Sequence, residues 1–195
     1  MSRRRLAVLL SLFVLATAVL TSAAPGGTQA PRRVHVDGDS IAYGTDLFLS
    51  RYLRGWEISS SVDVSRHAYQ GAASIEALGA ALPPVVMVNL GTNDDPRAVS
   101  TFATYVRRVV RAAGPGRCVI WATIVRPPYA GVSYDGLNGT LLSAASRWRT
   151  FHVFDWRGLA HAHPAWFGAD GVHPSIPGYR VRARLLAQFI RSACA

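Results

Sequence analysis

A serine, a histidine and an aspartate, which together can activate a hydroxyl group, lie just before predicted helices in this chain. The segment "VHVDGDSIAYG" runs an apolar strand into Asp39 and Ser40, just before a predicted helix. Far along the chain, Asp170 precedes His173 by three residues, ahead of the last predicted helix. A hydroxyl nucleophile needs a base, and the base needs a group that orients it. We therefore interpret Ser40 as a nucleophile, His173 as its base and Asp170 as the orienting carboxylate, with a simple helix N-cap as the alternative role of Ser40.

Attack on a carbonyl also requires donors for the oxyanion that forms. The predicted donors are the backbone amides of Ser40 and Gly71 and the side-chain amide of Asn93. Gly71 is expected in the turn after the second strand, where the absence of a side chain lets the backbone approach the substrate oxygen. Asn93 follows the third strand, and its alternative role is to stabilise a turn.

The segments between these residues alternate between strand-like and helix-like patterns. Helical spacing of apolar residues occurs over 98–113 and 179–190, and the most polar of the strands is expected near a sheet edge. The predicted strands are residues 34–37, 60–65, 85–89, 118–122 and 152–155. This alternation predicts an α/β fold, a three-layer α/β/α sandwich with about five parallel strands. Ligands of such folds bind beyond the carboxyl ends of the strands, where the polar residues lie.

The chain resembles the SGNH (GDSL-like) hydrolase family in four blocks that occur in the family's order: Gly38-Asp39-Ser40, Gly71, Gly91-Thr92-Asn93-Asp94 and Asp170-x-x-His173. The resemblance extends from Val34 to about Ile190 and implies a flavodoxin-like SGNH hydrolase fold. It implies the same catalytic and oxyanion-hole roles for the residues named above. Members of the family hydrolyse or transfer acyl groups on esters without a metal or an organic cofactor.

A narrower resemblance is to the extracytoplasmic SGNH domains of membrane acyltransferases that O-acetylate cell-wall peptidoglycan. It depends on Asn138, on Asp155-Trp156 and on the residues from Asp170 to His173, whereas Pro174 departs from the apolar residue expected there. Hydrolysis of short-chain or acetyl esters of carbohydrate, cell-wall or lipid substrates is therefore the leading interpretation. The alternatives are an acyltransferase that O-acetylates a cell-wall glycan and a non-catalytic glycan-binding module.

Two further residues are predicted to contact the substrate. Arg126 and Tyr129 follow the fourth strand on the same edge of the sheet, where they could reach the non-acyl part of an ester. His161 and His163 lie two residues apart without cysteine or acidic ligands nearby, so no metal site is predicted.

The first 24 residues have the pattern of a secretory signal peptide. Three arginines, Arg3 to Arg5, precede an apolar run from Leu6 to Leu20, and small residues follow it. The run is shorter than a bilayer-spanning helix, and an uncleaved anchor is the alternative. We expect a signal peptide at 1–24 and an SGNH hydrolase-like domain at 25–195. The mature protein is expected to be secreted or extracytoplasmic and to lack an integral membrane span.

The two cysteines bear on the compartment in which the protein works, and the net charge bears on its binding partners. Cys118 and Cys194 are the only two cysteines, and an exported chain meets an oxidising compartment. Cys118 begins its strand at the end of the sheet away from the active edge, where the last helix should finish, so a Cys118–Cys194 disulfide is predicted. The net charge is +10. The arginines are scattered without a recognition motif, which argues against nucleic acid and favours an anionic cell-envelope partner or a solvated surface.

Overall fold

One parallel sheet organises the part of the chain that the computed structural model describes, residues 32–194. The predicted signal peptide at 1–24 lies outside the described residues. The strands are β1 (Arg32–Gly38), β2 (Trp56–Val62), β3 (Val85–Asn89), β4 (Cys118–Ala122) and β5 (Phe151–Phe154). Their order across the sheet is β2-β1-β3-β4-β5, and every neighbouring pair is parallel.

Helices cover both faces of this sheet, which confirms the predicted α/β/α sandwich. The α-helices of residues 32–194 are α1 (Ser40–Tyr52), α2 (Ala68–Leu78), α3 (Val99–Ala113), α4 (Asp135–Arg147), α5 (Trp156–His161) and α6 (Ile176–Ala193). Helices α1, α5 and α6 pack on one face, and α2, α3 and α4 pack on the other. Within this range, no helix has both the length and the apolar character needed to cross a membrane.

The central strands are apolar because they are buried on both faces. All five residues of β3 are buried. Val86 and Val88 point into the core beneath α2 and α3, where Phe102 packs. Met87 points the other way, into the core that contains Leu186 of α6. A strand covered by helices on both sides needs apolar residues at consecutive positions, which is why this strand was recognisable from the sequence.

The edge strand β2 differs from its predicted bounds of 60–65. It begins at Trp56, immediately after Gly55, whose positive φ of 77° turns the chain into the strand. Trp56 pairs with Arg32, so β2 runs beside β1 from its first residue. Because β2 is a partly exposed edge strand, its serines do not produce the apolar run that marked the other strands.

The last helix is also longer than the predicted 179–190. Helix α6 begins at Ile176, because the side chain of Ser175 accepts a hydrogen bond from the Gly178 amide and caps the helix. Pro177 lies in the first turn, where its missing N–H costs no helical hydrogen bond. The helix therefore starts only three residues after His173.

Candidate active site

Ser40 is the first residue of α1 and stands at the carboxyl end of β1. The preceding Asp39 caps the helix, since its carboxylate accepts from the Ile41 amide at 2.9 Å. Ser40 is therefore not the N-cap, and its hydroxyl is available for other contacts. A side chain at Gly38 would lie 2.4 Å from the Ala42 Cβ, so only glycine allows this tight passage from strand to helix.

The structure brings the predicted serine, histidine and aspartate together at one edge of the sheet. The Ser40 Oγ lies 2.9 Å from the His173 Nε2. On the other side of the imidazole, the His173 Nδ1 lies 2.7 Å from the Asp170 Oδ2. These contacts join residues 133 positions apart in the chain. The arrangement allows the imidazole to accept the serine proton while the carboxylate holds it in the required tautomer.

The Asp170 carboxylate is fixed in its charged form by its own loop. Hydrogen bonding from the imidazole of His173 is the main cause that lowers the pKa of Asp170 to about 2, and the backbone amides of Val172 and His173 add to it. Those amides donate to the Asp170 Oδ1 at 2.9 and 3.0 Å. Asp170 is therefore ionised at every pH at which an esterase is normally assayed. About half of the Asp170 and His173 side-chain surface is exposed, so a bulky substrate can reach them.

Asn93 extends from the same edge, on the loop after β3. Strand β3 pairs with β1, and Gly38 at the end of β1 lies opposite Asn89 at the end of β3. The Asn93 Nδ2 donates to the Arg66 carbonyl at 3.2 Å, which holds the side chain against the loop between β2 and α2. Asn93 is half-buried, so its amide group remains accessible to a ligand.

Gly71 lies in a different place from the predicted one. It is in the first turn of α2 rather than in the turn before it, and its amide donates to the His67 carbonyl at 3.3 Å. A side chain at Gly71 would point at Leu90 and Asp37, which lie in the interior. The Gly71 amide is therefore used by the helix, and this glycine serves close packing of α2 on the sheet instead of binding an oxyanion.

Ser65, in the loop between β2 and α2, lines the same cleft as Asn93 and was not among the predicted site residues. Its φ of 62° is unusual for a residue with a side chain. Among the hydrogen bonds of residues 32–194, none involves the Ser65 amide. Ser65 and Asn93 line the same cleft, and the Ser65 amide, unlike that of Gly71, is not used by a helix. The sequence signal was hidden because the left-handed position is occupied by serine instead of glycine.

The cleft beside Asn93 has a volume of about 370 Å³ and a polar lining. Arg126 and Tyr129, the two predicted substrate contacts, both line it, together with Asp94 and Tyr134. The Arg126 guanidinium donates to the Thr92 carbonyl and lies 6.0 Å from the centre of the Tyr134 ring. The arginine is thus held in place at the wall of the cleft.

Asp94 connects this cleft to the start of α2. Its carboxylate accepts from the Ala68 amide, the first of the helix, at 3.0 Å from Oδ2. Burial raises the pKa of Asp94, whereas this hydrogen bond and the nearby His67 act in the opposite direction. The start of α2 is therefore capped by the loop after β3 as well as locally, where the Gln70 side chain accepts from the His67 amide at 2.8 Å.

A buried polar network lies beneath Ser40 and was not recognised in the sequence. Arg182 of α6 has no exposed surface, and it donates to the Thr45 Oγ1 at 2.6 Å and to the Asn89 Oδ1. Asn89 in turn donates to the Asp39 carboxylate at 2.8 Å. Burial lowers the pKa of Arg182 to about 10 and raises that of Asp39. A single buried cation thus links the segments that carry Ser40, Asn93 and His173.

The two cysteines lie at the opposite end of the sheet. A disulfide joins Cys118, the first residue of β4, to Cys194 at the end of α6, with their Cα atoms 5.7 Å apart.

His163, one of the two neighbouring histidines of the sequence, stacks on Trp166 with ring centres 4.0 Å apart. Within residues 32–194, no three His, Cys, Asp or Glu side chains form a cluster that could hold a metal ion.

Comparison with known proteins relates this fold to ester-processing enzymes. No protein-family model and no curated protein matches the chain. Among solved structures, the C-terminal catalytic domain of Streptococcus pneumoniae peptidoglycan O-acetyltransferase A is similar, with a TM-score of 0.66 and 20% identity. That match covers 84% of this chain and 92% of the other. A lipolytic G-D-S-L family protein from Veillonella parvula has a TM-score of 0.68 and 18% identity, covering 82% and 98% of the two chains.

A lipase/acylhydrolase from Enterococcus faecalis is similar to the same extent. Its TM-score is 0.62 at 20% identity, and the match covers 84% of this chain and 97% of that one. The Veillonella parvula protein carries the name of the G-D-S-L family, which is the family that the four sequence blocks resemble. The chain has the fold that these lipases, acylhydrolases and the acetyltransferase domain share.

Proposed function

We propose that this protein is a serine esterase of the SGNH type that hydrolyses short-chain or acetyl esters. The observation that carries the proposal is the continuous contact from Ser40 Oγ through the His173 ring to the Asp170 carboxylate. Such a chain of contacts at the carboxyl edge of a parallel sheet has the composition and geometry of a catalytic triad. The fold shared with known acylhydrolases supports the same reaction class.

The proposed reaction proceeds in two steps. The Ser40 Oγ attacks the ester carbonyl carbon while His173 Nε2 takes its proton, and His173 then gives that proton to the departing alcohol as the carbon–oxygen bond breaks. Water then attacks the acyl carbon while losing a proton to His173, and His173 returns that proton to the Ser40 Oγ as the acyl–oxygen bond breaks and the acid leaves. The Ser40 amide, the Asn93 side chain and the Ser65 amide are the proposed donors to the oxyanion.

The polar cleft supports an ester whose alcohol part is hydrophilic. Arg126 and Tyr129 line it beside Asn93, and we assign them contacts with the non-acyl part of the substrate. Aromatic rings and polar groups around an open cleft suit a sugar ring better than a long acyl chain. We therefore place acetylated carbohydrate, including cell-envelope glycan, ahead of lipid esters as the substrate.

Covalent labelling and turnover test this proposal together. A fluorophosphonate probe is expected to modify Ser40, and nitrophenyl acetate is expected to be hydrolysed faster than long-chain nitrophenyl esters. Ser40→Ala should abolish labelling and reduce turnover by roughly 10⁴–10⁶-fold while the fold is retained. A folded wild-type protein that neither reacts with the probe nor hydrolyses any ester would instead be a binding module.

Acyl transfer to a glycan is the second candidate function. It is favoured by the similarity to a peptidoglycan O-acetyltransferase domain and by the exposure of the His173 side chain, which lets a sugar hydroxyl take the place of water. Incubation with an acetyl ester donor and a glycan acceptor distinguishes the two reactions. An acetylated glycan indicates transfer, and free acetate alone indicates hydrolysis.

We also propose that the protein is exported, with cleavage after residue 24. The leader-like sequence at 1–24 and the Cys118–Cys194 disulfide support this location, because disulfides persist in oxidising compartments. Mass spectrometry of the protein recovered outside the cytoplasm should find a chain that begins at residue 25. Recovery of the full-length chain inside the cytoplasm with two free thiols would contradict export.

A further inference from the structure

Helices α1 and α6 lie side by side and run in the same direction from the active edge. At their start, Ser40 contacts His173 just before α6. Further along, the ring of Tyr179 occupies the space beside Gly44, at 2.3 Å from where a Cβ would be. At the far end, Arg191 donates to the Tyr52 carbonyl at 2.7 Å. The solvent-facing sides of the two helices therefore form one continuous surface.

Near the active edge, this surface is apolar. Tyr43, Leu47 and Ile176 are 51%, 63% and 59% exposed. Tyr43 lies about one helical turn after Ser40, and Ile176 begins α6 just after the His173 loop. Large apolar side chains grouped beside an active site are unusual on a surface that faces only water.

The remainder of the same surface is cationic. It carries five exposed arginines, and none of the salt bridges within residues 32–194 involves them. Helix α6 contains no carboxylate, and α1 contains only the half-buried Asp46. On the opposite layer, Arg108 is paired with Glu76, whereas the exposed Arg107 and Arg111 of α3 take part in none of these salt bridges and provide a matched comparison. The five exposed arginines of the α1–α6 surface are Arg51, Arg54, Arg180, Arg184 and Arg191.

We propose that this α1–α6 face, formed by the three apolar residues and the five arginines, docks on an anionic lipid bilayer. Arginines bind anionic headgroups, and apolar side chains enter the boundary between headgroups and acyl chains. A hydrophilic polyanion would use the arginines but would offer Leu47 and Ile176 no apolar environment. Docking would hold the Ser40–His173 pair at the membrane surface, close to esters of the cell envelope.

Vesicle sedimentation tests the charge component. The purified protein is mixed with vesicles of phosphatidylcholine alone and of phosphatidylcholine with phosphatidylglycerol, at low and high salt. We expect binding to the anionic vesicles only, and weaker binding at high salt. Arg51→Glu with Arg184→Glu should weaken it roughly 30-fold or more, because each arginine near an anionic surface contributes about fivefold. The matched control on the opposite layer, Arg107→Glu with Arg111→Glu, should bind within about threefold of wild type.

Two single substitutions test the apolar component. Leu47→Ser should weaken vesicle binding by roughly tenfold, since one exposed leucine loses its transfer into the lipid boundary. Leu142→Ser, at a leucine of similar exposure on α4, should have no effect on binding. All variants should hydrolyse a water-soluble ester as the wild type does, which separates this proposal from the esterase proposal and reports folding.

Three outcomes would overturn membrane docking. Equal losses in the α1–α6 variant and in its opposite-layer control would indicate non-specific attraction by overall charge. Retention of vesicle binding by Leu47→Ser, with loss in the arginine variant, would indicate a purely electrostatic surface whose partner is a soluble polyanion. Absence of binding by the wild type to anionic vesicles at low salt would leave the face without a lipid partner.

Discussion

Replacement of Arg182 by methionine should reveal how much the buried network beneath Ser40 contributes to the free energy of unfolding. Methionine keeps most of the apolar contact over the rings of Trp156 and Phe154, which lie 5.2 and 5.8 Å from the guanidinium carbon. It removes both hydrogen bonds of the guanidinium, to Thr45 and to Asn89. The carboxylate of Asp39 also loses the attraction of the Arg182 charge, which acts against the rise of its pKa.

The size of the effect follows from what remains buried and unpaired. Removal of one partner from a buried charged network costs about 3–5 kcal/mol of unfolding free energy. That is a large part of the roughly 5–15 kcal/mol available to a domain, and it corresponds to a Tm decrease of about 6–20 °C at this chain length. Urea denaturation should show a lower midpoint with an unchanged m value. The exposed neighbour Arg184 on the same helix gives the control, because Arg184→Met should change stability by less than about 0.5 kcal/mol.

The pH dependence of this loss has a defined sign. Burial already raises the folded-state pKa of Asp39, and removal of the Arg182 charge raises it further. Below the unfolded carboxyl pKa of about 3.9, Asp39 is neutral in both states and its burial is least costly. The stability deficit of Arg182→Met should therefore be smallest in acid and should grow as pH rises through the raised folded pKa.

Two results would refute this reasoning about Arg182. A loss below about 1 kcal/mol at neutral pH would mean that the guanidinium does not compensate the buried acceptors. A deficit that grows as the pH falls would mean that Asp39 is not the group left uncompensated. If the reasoning holds, Asp39→Asn combined with Arg182→Met should cost less than the sum of the two single changes, because they act on one network.

Three further predictions concern packing, catalysis and the disulfide. Gly44→Ala should destabilise the protein by about 1–3 kcal/mol in thermal unfolding, because the added methyl group would overlap the ring of Tyr179. The control Gly139→Ala, where the methyl group would enter open space, should stabilise the protein by about 0.5–1 kcal/mol. Equal effects of the two substitutions would contradict the close packing at Gly44. Asp170→Asn should lower kcat/KM for a soluble ester by roughly 10²–10⁴-fold and should also lower stability slightly at neutral pH; a loss of kcat/KM below tenfold would argue against its orienting role. Because wild-type Asp170 titrates only near pH 2, the carboxylate's favourable contribution to stability should be lost as pH falls from about 4 through 2. Cys118→Ala with Cys194→Ala should cost roughly 2–4 kcal/mol in urea denaturation yet leave esterase activity at 25 °C unchanged, since the disulfide lies at the end of the sheet away from Ser40; a selective loss of activity would contradict this.

The open geometry of the site bears on the choice between hydrolysis and transfer. With half of the His173 and Asp170 side-chain surface exposed, the imidazole can reach water and larger acceptors alike. In a transferase, a sugar hydroxyl must attack the acyl-serine in preference to water, although water is far more concentrated. The protein must therefore bind the sugar acceptor next to the acyl-serine. Arg126 and Tyr129, the proposed contacts with the non-acyl part of the substrate, are the candidates for such contacts.

Much of this molecule was predictable because parallel strands end at the same edge. Apolar runs identified four strands closely, and the polar residues after them were expected to meet, whatever their distance along the chain. Ser40 and His173 do so across 133 positions. The short spacing from Asp170 to His173 was enough to predict their pairing, since both lie on one loop.

Other features depended on contacts between distant segments. The start of α2 is capped by Asp94, whose carboxylate accepts from the Ala68 amide from a loop 26 residues away, in addition to the local cap by Gln70. Gly71 therefore lies inside the helix, and Ser65 lines the cleft that contains Asn93. The role of Arg182 was equally hidden, because an arginine on an amphipathic helix is normally exposed. The residue types and the order of the strands along the chain were therefore enough to predict that Ser40, Asp170 and His173 meet at one edge of the sheet. Long-range capping and burial, which exist only once the chain has folded, decided the details around that edge.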